Sequence, residues 1–468
     1  MMSLVLGGEP ERAVGMASAA LQAELTPDAA SAAQLARLVG LVAIDDLAAA
    51  REVIGSMLAG GDHLSGDAVL ATALTAMAFS VWDAARAADG LSLLRAATRR
   101  ADRAPSGGAQ PYPRLHLAAA LTALGYHDEA AETIDECAAE IAKSGDVLWS
   151  AGPHVRRAVL DVARGRPDDA VVAATDALEL CDQLGTRFFT PAAAAVLVEA
   201  ALLSGDVSEA VRQMGVVRAA LPSNRAAVSP CSLLWLEARL AQAMGASTSA
   251  AVHALYERLI SHARLLLDEP AAAAWLVRAA LADGDEDKAE LVARAADLGA
   301  ISNPEHPALV AAAAHARGLI QGDPGQVAGA AHLYRRPWAS AWAFEDAAAL
   351  LAASGDRAAA RQRLEEAARI FEAVGALNDR ARVRRRTAEL ALNRSATSSG
   401  RPLQGWGSLT DTERRVAEAV SEGLTNAGAG DRLYLSRHTV DFHLRQIYRK
   451  LEIRSRVELV PYVLGHAS

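Results

Sequence analysis

The sequence predicts an all-α fold in which a long array of helical hairpins precedes a small four-helix domain. Three features support this fold class. Aromatic residues form only 4% of the 468 residues while Ala, Leu and Val dominate, which is typical of helices packed through small side chains. Glycines recur about every 40 residues through most of the chain. The last sixty or so residues contain four helix-start signals in succession.

The glycine repeat organises residues 1–392. Seven glycines, each separated from the next by 33 to 40 residues, are Gly125, Gly165, Gly205, Gly245, Gly284, Gly322 and Gly355. Most are followed five residues later by Ala: Ala130, Ala170, Ala210, Ala250, Ala289 and Ala360. Each unit is expected to form a helix, a turn and a second helix, because Gly tolerates a left-handed turn and Ala allows the two helices to approach closely. A fainter signal at Gly8, Asp45–Asp46 and Asp83 extends the array to about ten units.

These units resemble tetratricopeptide repeats with the longer period of the sensor regions in large LuxR-type regulators. The resemblance implies a curved solenoid whose concave face binds a peptide, protein or small ligand of unknown identity. An ordinary helical bundle is the alternative. Four tryptophans are candidates for that face, although a core position is the favoured interpretation: Trp235, Trp275, Trp338 and Trp342. The last two lie four residues apart and are expected to pack together.

The tail begins with a capping box formed by Thr410 and Glu413, and its first helix is expected to stop at Gly423. Thr425 is expected to cap a second helix through Leu433, and Ser436 a third from Arg437 to about Leu451. A fourth helix follows Ser455 and ends near Gly465. The second helix, a tight turn and the longer third helix therefore follow one another within a small four-helix domain.

The third helix has two distinct faces. An apolar stripe for packing on the first two helices is formed by Val440, Leu444, Ile447 and Leu451. Long polar side chains lie off the stripe, and residues 436–456 hold six basic against two acidic residues. Free amides next to Ser436 are able to hold a phosphate. A basic amphipathic helix that only packs or is solvated remains the alternative interpretation.

Residues 409–465 resemble the LuxR-type C-terminal DNA-binding domain. The matching positions include Leu409–Thr410, Glu413, Val416, 423–426, Leu433, Leu435–Ser436, Thr439–Val440, His443–Leu444, Ile447, Lys450–Leu451 and Arg456. The resemblance implies a third helix in the major groove of double-stranded DNA, dimerisation through the fourth helix, and operators with two-fold symmetry.

The resemblance places base-reading positions at Asp441, Phe442 and Arg445. Arg445 is the strongest candidate, because Arg pairs bidentately with guanine O6 and N7. The full set of candidate DNA contacts is Thr425, Asn426, Ser436, Arg437, His438, Thr439, Asp441, Phe442, Arg445, Arg449 and Lys450. His443 is interpreted as a packing residue and Arg456 as part of the scaffold.

Three positions depart from the family pattern. Gly428-Ala429-Gly430 replaces the usual Glu-Ile-Ala, and each Gly costs about 0.5 to 1 kcal/mol of helix relative to Ala. Asp441 stands where many relatives carry Lys or Arg, so it repels phosphate but is able to accept from cytosine N4. Pro461 falls within the fourth helix and puts the inherited dimer mode in question.

Composition excludes several classes of protein. The three cysteines lack C-x-x-C spacing and are expected to be small buried hydrophobes, and neither metal nor cofactor ligands have the required spacing. No apolar run is long enough for a membrane span, so we expect a soluble protein, and the cysteine pattern favours a reducing cytoplasm. No catalytic motif occurs, so we expect no enzymatic activity. The body, residues 1–400, holds 37 basic against 48 acidic residues, whereas residues 401–468 hold ten against eight.

The Ser-rich stretch 393–408 is expected to be a flexible linker between the repeats and the domain at 409–468. The chain opens almost directly on Gly7–Gly8 and has no G-x-x-x-x-G-K-[ST] motif, whereas large relatives carry an ATP-binding domain before the repeats. This favours a truncated chain or a start codon placed too late, with a natural stand-alone regulator as the alternative.

The sequence therefore predicts a transcriptional regulator that binds DNA as a homodimer and senses an effector through its repeats. A repeat-based protein-interaction adaptor whose tail has lost DNA binding is the alternative. Gly428, Gly430, Asp441 and Pro461 are the features that favour it.

Overall fold

The computed structural model describes residues 1–59, 66–104, 111–245, 249–259, 264–397, 405–433, 437–453 and 455–464. Across these ranges all regular structure is helical and no strand occurs, which confirms the all-α prediction. The chain divides into two compact units, Met1–Arg385 and Arg386–Ser468.

Twenty-two helices begin within the described part of the first unit. They are α1 (Met2–Leu6), α2 (Pro10–Ala20), α3 (Pro27–Ala43), α4 (Leu47–Ala59), α5 (Asp67–Asp83), α6 (Ala87–Ala101), α7 (Pro111–Leu124), α8 (His127–Ser144), α9 (Ala151–Ala163), α10 (Pro167–Leu184), α11 (Thr190–Ser204), α12 (Val207–Ala220), α13 (Pro230–Ala243), α14 (Ser249–Leu259), α15 (Arg264–Asp268), α16 (Ala272–Asp283), α17 (Glu286–Ser302), α18 (Pro307–Gln321), α19 (Pro324–Ala331), α20 (Pro337–Ser354), α21 (Arg357–Ala373) and α22 (Leu377–Thr397).

The predicted hairpin turns are present. All seven repeat glycines have positive φ, between 67° and 94°, and so does Gly8 at 91°. The two faint signals also mark turns, where Asp45 (φ 63°) and Ala85 (φ 57°) adopt the left-handed conformation without being Gly. In four units the turn glycine is followed by an Asp that caps the next helix: the side chains of Asp206, Asp285, Asp323 and Asp356 each accept a backbone N–H three residues on, at 2.9–3.1 Å.

The alanines of the repeat take the expected buried positions, with one exception. Those at most 1% exposed are Ala130, Ala170, Ala210, Ala289 and Ala360. Ala250 is exposed, which corrects its predicted role in close packing. Ala250 lies instead on the exposed side of α14, which the structure describes from Ser249.

Turns far apart in sequence contact each other within the first unit. The amide of Asn303 donates to Ala85 O and Gly299 O and accepts from Ala87 N, each at 2.8 Å. Trp82 Nε1 donates to Asp268 Oδ1 at 2.9 Å. Contacts between residues some 180 to 220 positions apart in sequence therefore bring distant hairpins together. The repeat pattern alone did not indicate this.

The four candidate tryptophans lie in the core, as favoured from the sequence. Trp235, Trp275, Trp338 and Trp342 are all 9% exposed or less. Trp338 and Trp342 pack edge to face with ring centroids 4.8 Å apart. The Arg239 guanidinium lies 5.7 Å from the ring centroids of three of the four. These rings hold helices of different hairpins together.

The second unit contains α23 (Asp411–Ser421), α24 (Asn426–Leu433), α25 (Arg437–Leu451) and α26 (Arg456–Leu464), close to the predicted bounds. All four helices contribute buried side chains to its core. They include Val416, Val420, Ala429, Val440, Leu444, Ile447, Leu451, Leu459 and Val463. Pro461 lies inside α26, as predicted. Despite its glycines, α24 forms over its expected length.

Helix α22 ends at Thr397, so the first five residues of the predicted linker are helical. Residues 398–404 lie outside the described residues, and Trp406–Ser408 form a short 3-10 turn. The flexible linker stays a prediction.

All three cysteines are buried and none is in a disulfide. No helix among the described residues is both long and apolar enough to cross a bilayer. The described side chains include no cluster of three His, Cys, Asp or Glu placed to hold a metal ion.

Candidate DNA-binding site

The N-terminus of α23 is fixed by the predicted capping box. Thr410 Oγ1 accepts from Glu413 N at 3.2 Å, and Glu413 Oε2 accepts from Thr410 N at 2.7 Å. Lys450 Nζ of α25 also donates to Glu413, to Oε1 at 2.7 Å and to Oε2 at 2.6 Å. Burial alone would raise the pKa of the Glu413 carboxyl, but the bonds from Lys450 and Thr410 outweigh it and hold the pKa below its ordinary value.

This buried pair ties the end of α25 to the start of α23. The Glu413 side chain is 6% exposed and that of Lys450 is 24% exposed. The sequence placed Lys450 among the candidate DNA contacts. Local spacing could not reveal its partner Glu413, because the two residues are 37 positions apart. The ammonium group is instead engaged within the domain.

Helix α25 divides into the two faces that its sequence predicted. Val440, Leu444, Ile447 and Leu451 are at most 4% exposed and pack against the other helices. On the outer side the Arg445 side chain is 80% exposed, and Arg437 and Arg449 are also exposed. One helix therefore anchors the domain and presents arginines to solvent.

Asp441 joins two of the candidate contacts. Its Oδ1 accepts from Asn426 Nδ2 of α24 at 3.2 Å, and its Oδ2 accepts from Arg445 Nη2 at 3.0 Å. The bond from Asn426 crosses between the two helices of the helix-turn-helix. Asp441 thus restrains the two side chains and offsets part of the charge of Arg445, a role that the sequence comparison with the family did not indicate.

The remaining candidates fall into three groups. Thr425 Oγ1 accepts from Gly428 N at 3.1 Å and caps α24 as predicted. Arg449 donates to Gln446 one turn before it on α25. Ser436 lies outside the described residues, and for His438, Thr439 and Phe442 the structure describes the helical backbone but not the side chains.

Two residues set aside from the contact set behave as scaffold. Arg456 donates to the backbone carbonyls of Val420, at 2.8 Å, and Leu424, and so closes the C-terminal end of α23. His443 is half-buried, and burial lowers the pKa of its imidazole. It is neutral at physiological pH and packs within the domain, as its position in the sequence suggested.

Comparisons with known proteins agree with this geometry. Residues 407–463 match the GerE family, described as bacterial regulatory proteins of the luxR family. HTH-type transcriptional regulators of Mycobacterium bovis and Mycobacterium tuberculosis are 55% identical over 60 residues, which are 13% of this chain. The match covers only 7% of the length of each of these relatives.

Two further comparisons cover larger parts of the chain. The DNA-binding transcriptional activator DevR/DosR of Mycobacterium tuberculosis is 36% identical over 93 residues, 20% of this chain and 42% of the activator. The solved structure of Rap protein complexed with competence and sporulation factor aligns with 84% of this chain and 96% of its own. Its identity of 12% and TM-score of 0.36 are too low to support any inference. Residues 407–463 of this chain are a helix-turn-helix domain of the luxR family of bacterial regulatory proteins.

Proposed function

We propose that this protein is a cytoplasmic transcriptional regulator that binds a pseudo-palindromic operator as a dimer and responds to an effector held by its repeats. The observation that carries the proposal is the outer face of α25. Arg445 is exposed there and restrained by Asp441, on a helix whose opposite face is fully used in packing. A restrained Arg at this position is suited to the two acceptors of guanine in the major groove.

The proposed contacts divide by role. Arg445, with Asp441 and Phe442, reads bases, whereas Arg437, Arg449 and the N-terminal groups of α24 and α25 contact phosphates. Asn426 and Asp441 hold the two helices in register. Lys450, already bound to Glu413, supports the fold of the domain rather than the DNA contact.

The fourth helix supports the proposed dimer. Val457 on α26 is 80% exposed, although Leu459 and Val463 of the same helix are buried. An exposed large apolar side chain on a short helix is suited to meet the same helix of a second copy. Pro461 is also exposed, one helical turn from Val457, and lies on the outside of the domain.

Selection of random duplexes by the purified full chain, followed by titration of the enriched sequence, tests this function. We expect an enriched motif with two-fold symmetry, bound by two protomers. Arg445→Ala is expected to weaken binding to that motif by about 1 to 3 kcal/mol and to reduce discrimination against a scrambled duplex.

The matched control is Arg415→Ala. Arg415 is exposed on α23, outside the proposed contact set, so its loss removes the same charge without removing a base contact. Equal binding by Arg445→Ala and the unsubstituted protein would contradict the assignment of Arg445. Recovery of no motif, even at low salt, would favour the interaction adaptor instead.

A further inference from the structure

The first unit encloses a cavity of about 110 Å³, partly open to solvent. Its walls come from α5, α7, α9 and α11, which begin four successive hairpins, and from the short helix α15. A single water needs only about 10 to 15 Å³ of such space. The cavity therefore has room for a small organic molecule.

Aromatic rings form much of the cavity wall. They are contributed by Phe79, Trp82, Tyr112, Phe188 and Phe189. His116 also faces the cavity, with its ring centroid 4.5 Å from that of Tyr112. Burial, aided by two nearby arginines, holds the pKa of His116 well below its ordinary value, so the imidazole is neutral. Flat apolar surfaces of this kind bind the body of a ring-containing ligand.

One of the two cavity arginines has its charge matched by the protein. Arg264 Nε donates to Asp268 Oδ2 at 3.1 Å and Nη1 to Asp83 Oδ1 at 3.4 Å. Asp268 also accepts from Trp82 Nε1. Two carboxylates therefore match the single charge of Arg264 within the wall, so this arginine needs no anionic ligand.

The other arginine, Arg156 of α9, is unmatched. It makes no hydrogen bond or ion pair to the part of the chain that the structure describes. Its titratable neighbours are Tyr112 and Cys137, and burial raises the pKa of both, that of Cys137 to about 12, so both are neutral. Burial lowers the pKa of Arg156 to about 10, which still leaves the guanidinium charged at neutral pH. A buried cation without an anionic partner is costly, and a bound anion would remove that cost.

Asn224 offers a second polar group at the same cavity. Its Nδ2 donates to Phe188 O at 3.1 Å, whereas its buried Oδ1 has no donor among the described residues. The oxygen itself has almost no accessible surface, so Arg156 is the polar group with which a ligand in this aromatic space would pair.

We propose that this cavity binds a small aromatic carboxylic acid. The carboxylate pairs with the Arg156 guanidinium, and the ring lies among the aromatic side chains. The inference gives chemical identity to the effector and rests on the proposed function for its regulatory meaning. Binding itself needs no DNA and is measured without it.

Calorimetric titration of the full chain with three matched pairs of probes tests the site. The acids are benzoate, phenylacetate and indole-3-acetate, and each is compared with its uncharged amide. We expect at least one acid to bind, and to bind about tenfold or more tightly than its amide, because only the acid forms the charge-assisted pair. For benzoate and phenylacetate, a change in the tryptophan fluorescence of the chain gives a second readout of occupancy, because Trp82 lines the cavity.

The variants Arg156→Met and Arg157→Met test whether the preference for acid over amide depends on Arg156 itself. Met keeps much of the apolar stem, so Arg156→Met is expected to bind acid and amide equally while unfolding at the same or a higher temperature than the unsubstituted protein. Arg157, the next residue, is ion-paired to Asp135 at 2.5 Å and does not line the cavity, so its substitution is expected to leave the preference for acid intact.

Three results would overturn the site: no binding of any of the acids at millimolar concentration, equal binding of acid and amide by the unsubstituted protein, or unchanged acid binding by Arg156→Met. A failure to select any DNA motif would instead contradict the proposed function and leave these titrations unaffected. The two proposals therefore fail separately.

Discussion

The first unit repeats one device at its hairpin turns, a left-handed residue between two helices, whereas the C-terminal domain adds a capping box and a buried ion pair to its left-handed turns. In the first unit the turns depend on left-handed residues such as Gly165 and Gly284, followed by closely packed alanines. In the domain, Thr410, Glu413 and Lys450 combine a cap and a buried ion pair, and Arg456 closes the end of α23. The difference lies in which groups satisfy the ends of the helices.

The two regions also differ in the range of the contacts that complete them. The pair of Glu413 and Lys450 joins residues 37 positions apart, and the bond from Gly405 N to Lys450 O spans 45 positions. Asn303 and Ala85 are 218 positions apart and join separate hairpins of the first unit. A repeat array is built from local units, so its hairpins are specified locally but their winding depends on a few such distant contacts.

The largest expected effect is in the domain. Glu413→Ala removes an acceptor of the capping box and leaves the largely buried Lys450 ammonium without a partner. We expect a loss of about 3 to 5 kcal/mol in the local stability of α23 and α25. Amide hydrogen exchange of those helices in the full chain measures it.

Two companion variants sharpen this result. Glu413→Gln keeps an acceptor for Thr410 N but not the charge, so an intermediate loss is expected. Glu418→Ala changes an exposed Glu on the same helix and is expected to have little effect. Equal exchange rates in Glu413→Ala and Glu418→Ala would show that the buried pair does not stabilise the domain.

A smaller effect is expected where the first unit closes on itself. Asn303 is fully buried, and Asn303→Ala leaves the N–H of Ala87 and the carbonyl of Ala85 without their partner. A loss of about 2 to 3 kcal/mol is expected, since buried unpaired backbone groups cost about 1 to 3 kcal/mol each. Amide exchange at residues 85–90 reports it, with the exposed Gln362→Ala as the control. Unchanged protection there would mean that the winding does not depend on this side chain.

The smallest effect distinguishes backbone strain from packing within the turns. Gly165 and Gly284 have nearly the same φ, 75° and 74°. A Cβ at Gly165 would lie 2.5 Å from Val374 Cγ1, whereas one at Gly284 would meet nothing within 4 Å. Both Ala substitutions are strained by about 1 kcal/mol, and Gly165→Ala is expected to cost about 1 to 2 kcal/mol more.

Thermal unfolding of the two single variants under the same conditions measures this difference. If they unfold at the same temperature, the contact between the turn at Gly165 and the residue after α21 contributes nothing to the stability of the array. The result would then leave backbone conformation as the whole cost.

Much of the fold could be predicted because its signals are local. Gly125 to Gly355 mark turns through a conformation that other residues avoid, and Thr410 with Glu413 marks a helix start through bonds spanning three residues. Ala250 is wrong as a packing position, although its spacing of five residues from Gly245 is the same as that of the five alanines that are buried.

The candidate site was predictable in outline but not in its contacts. The stripe of α25 identified the outer face and Arg445 on it. The bonds of Asp441 to Asn426 and Arg445, and the binding of Lys450 to Glu413, arise only when separate helices pack. An isolated sequence motif therefore does not show which cations already have a partner within the domain.

The sequence by itself determined the all-α class, the hairpin turns, the helices of the domain and its family resemblance. These depend on φ preferences, caps and apolar periodicity, which act over a few residues. The tertiary structure decided how the hairpins wind, which charges are matched, and that Arg156 faces an aromatic cavity without a counterion among the described residues. Such properties depend on distances between residues far apart in the chain, which packing sets and sequence spacing does not record.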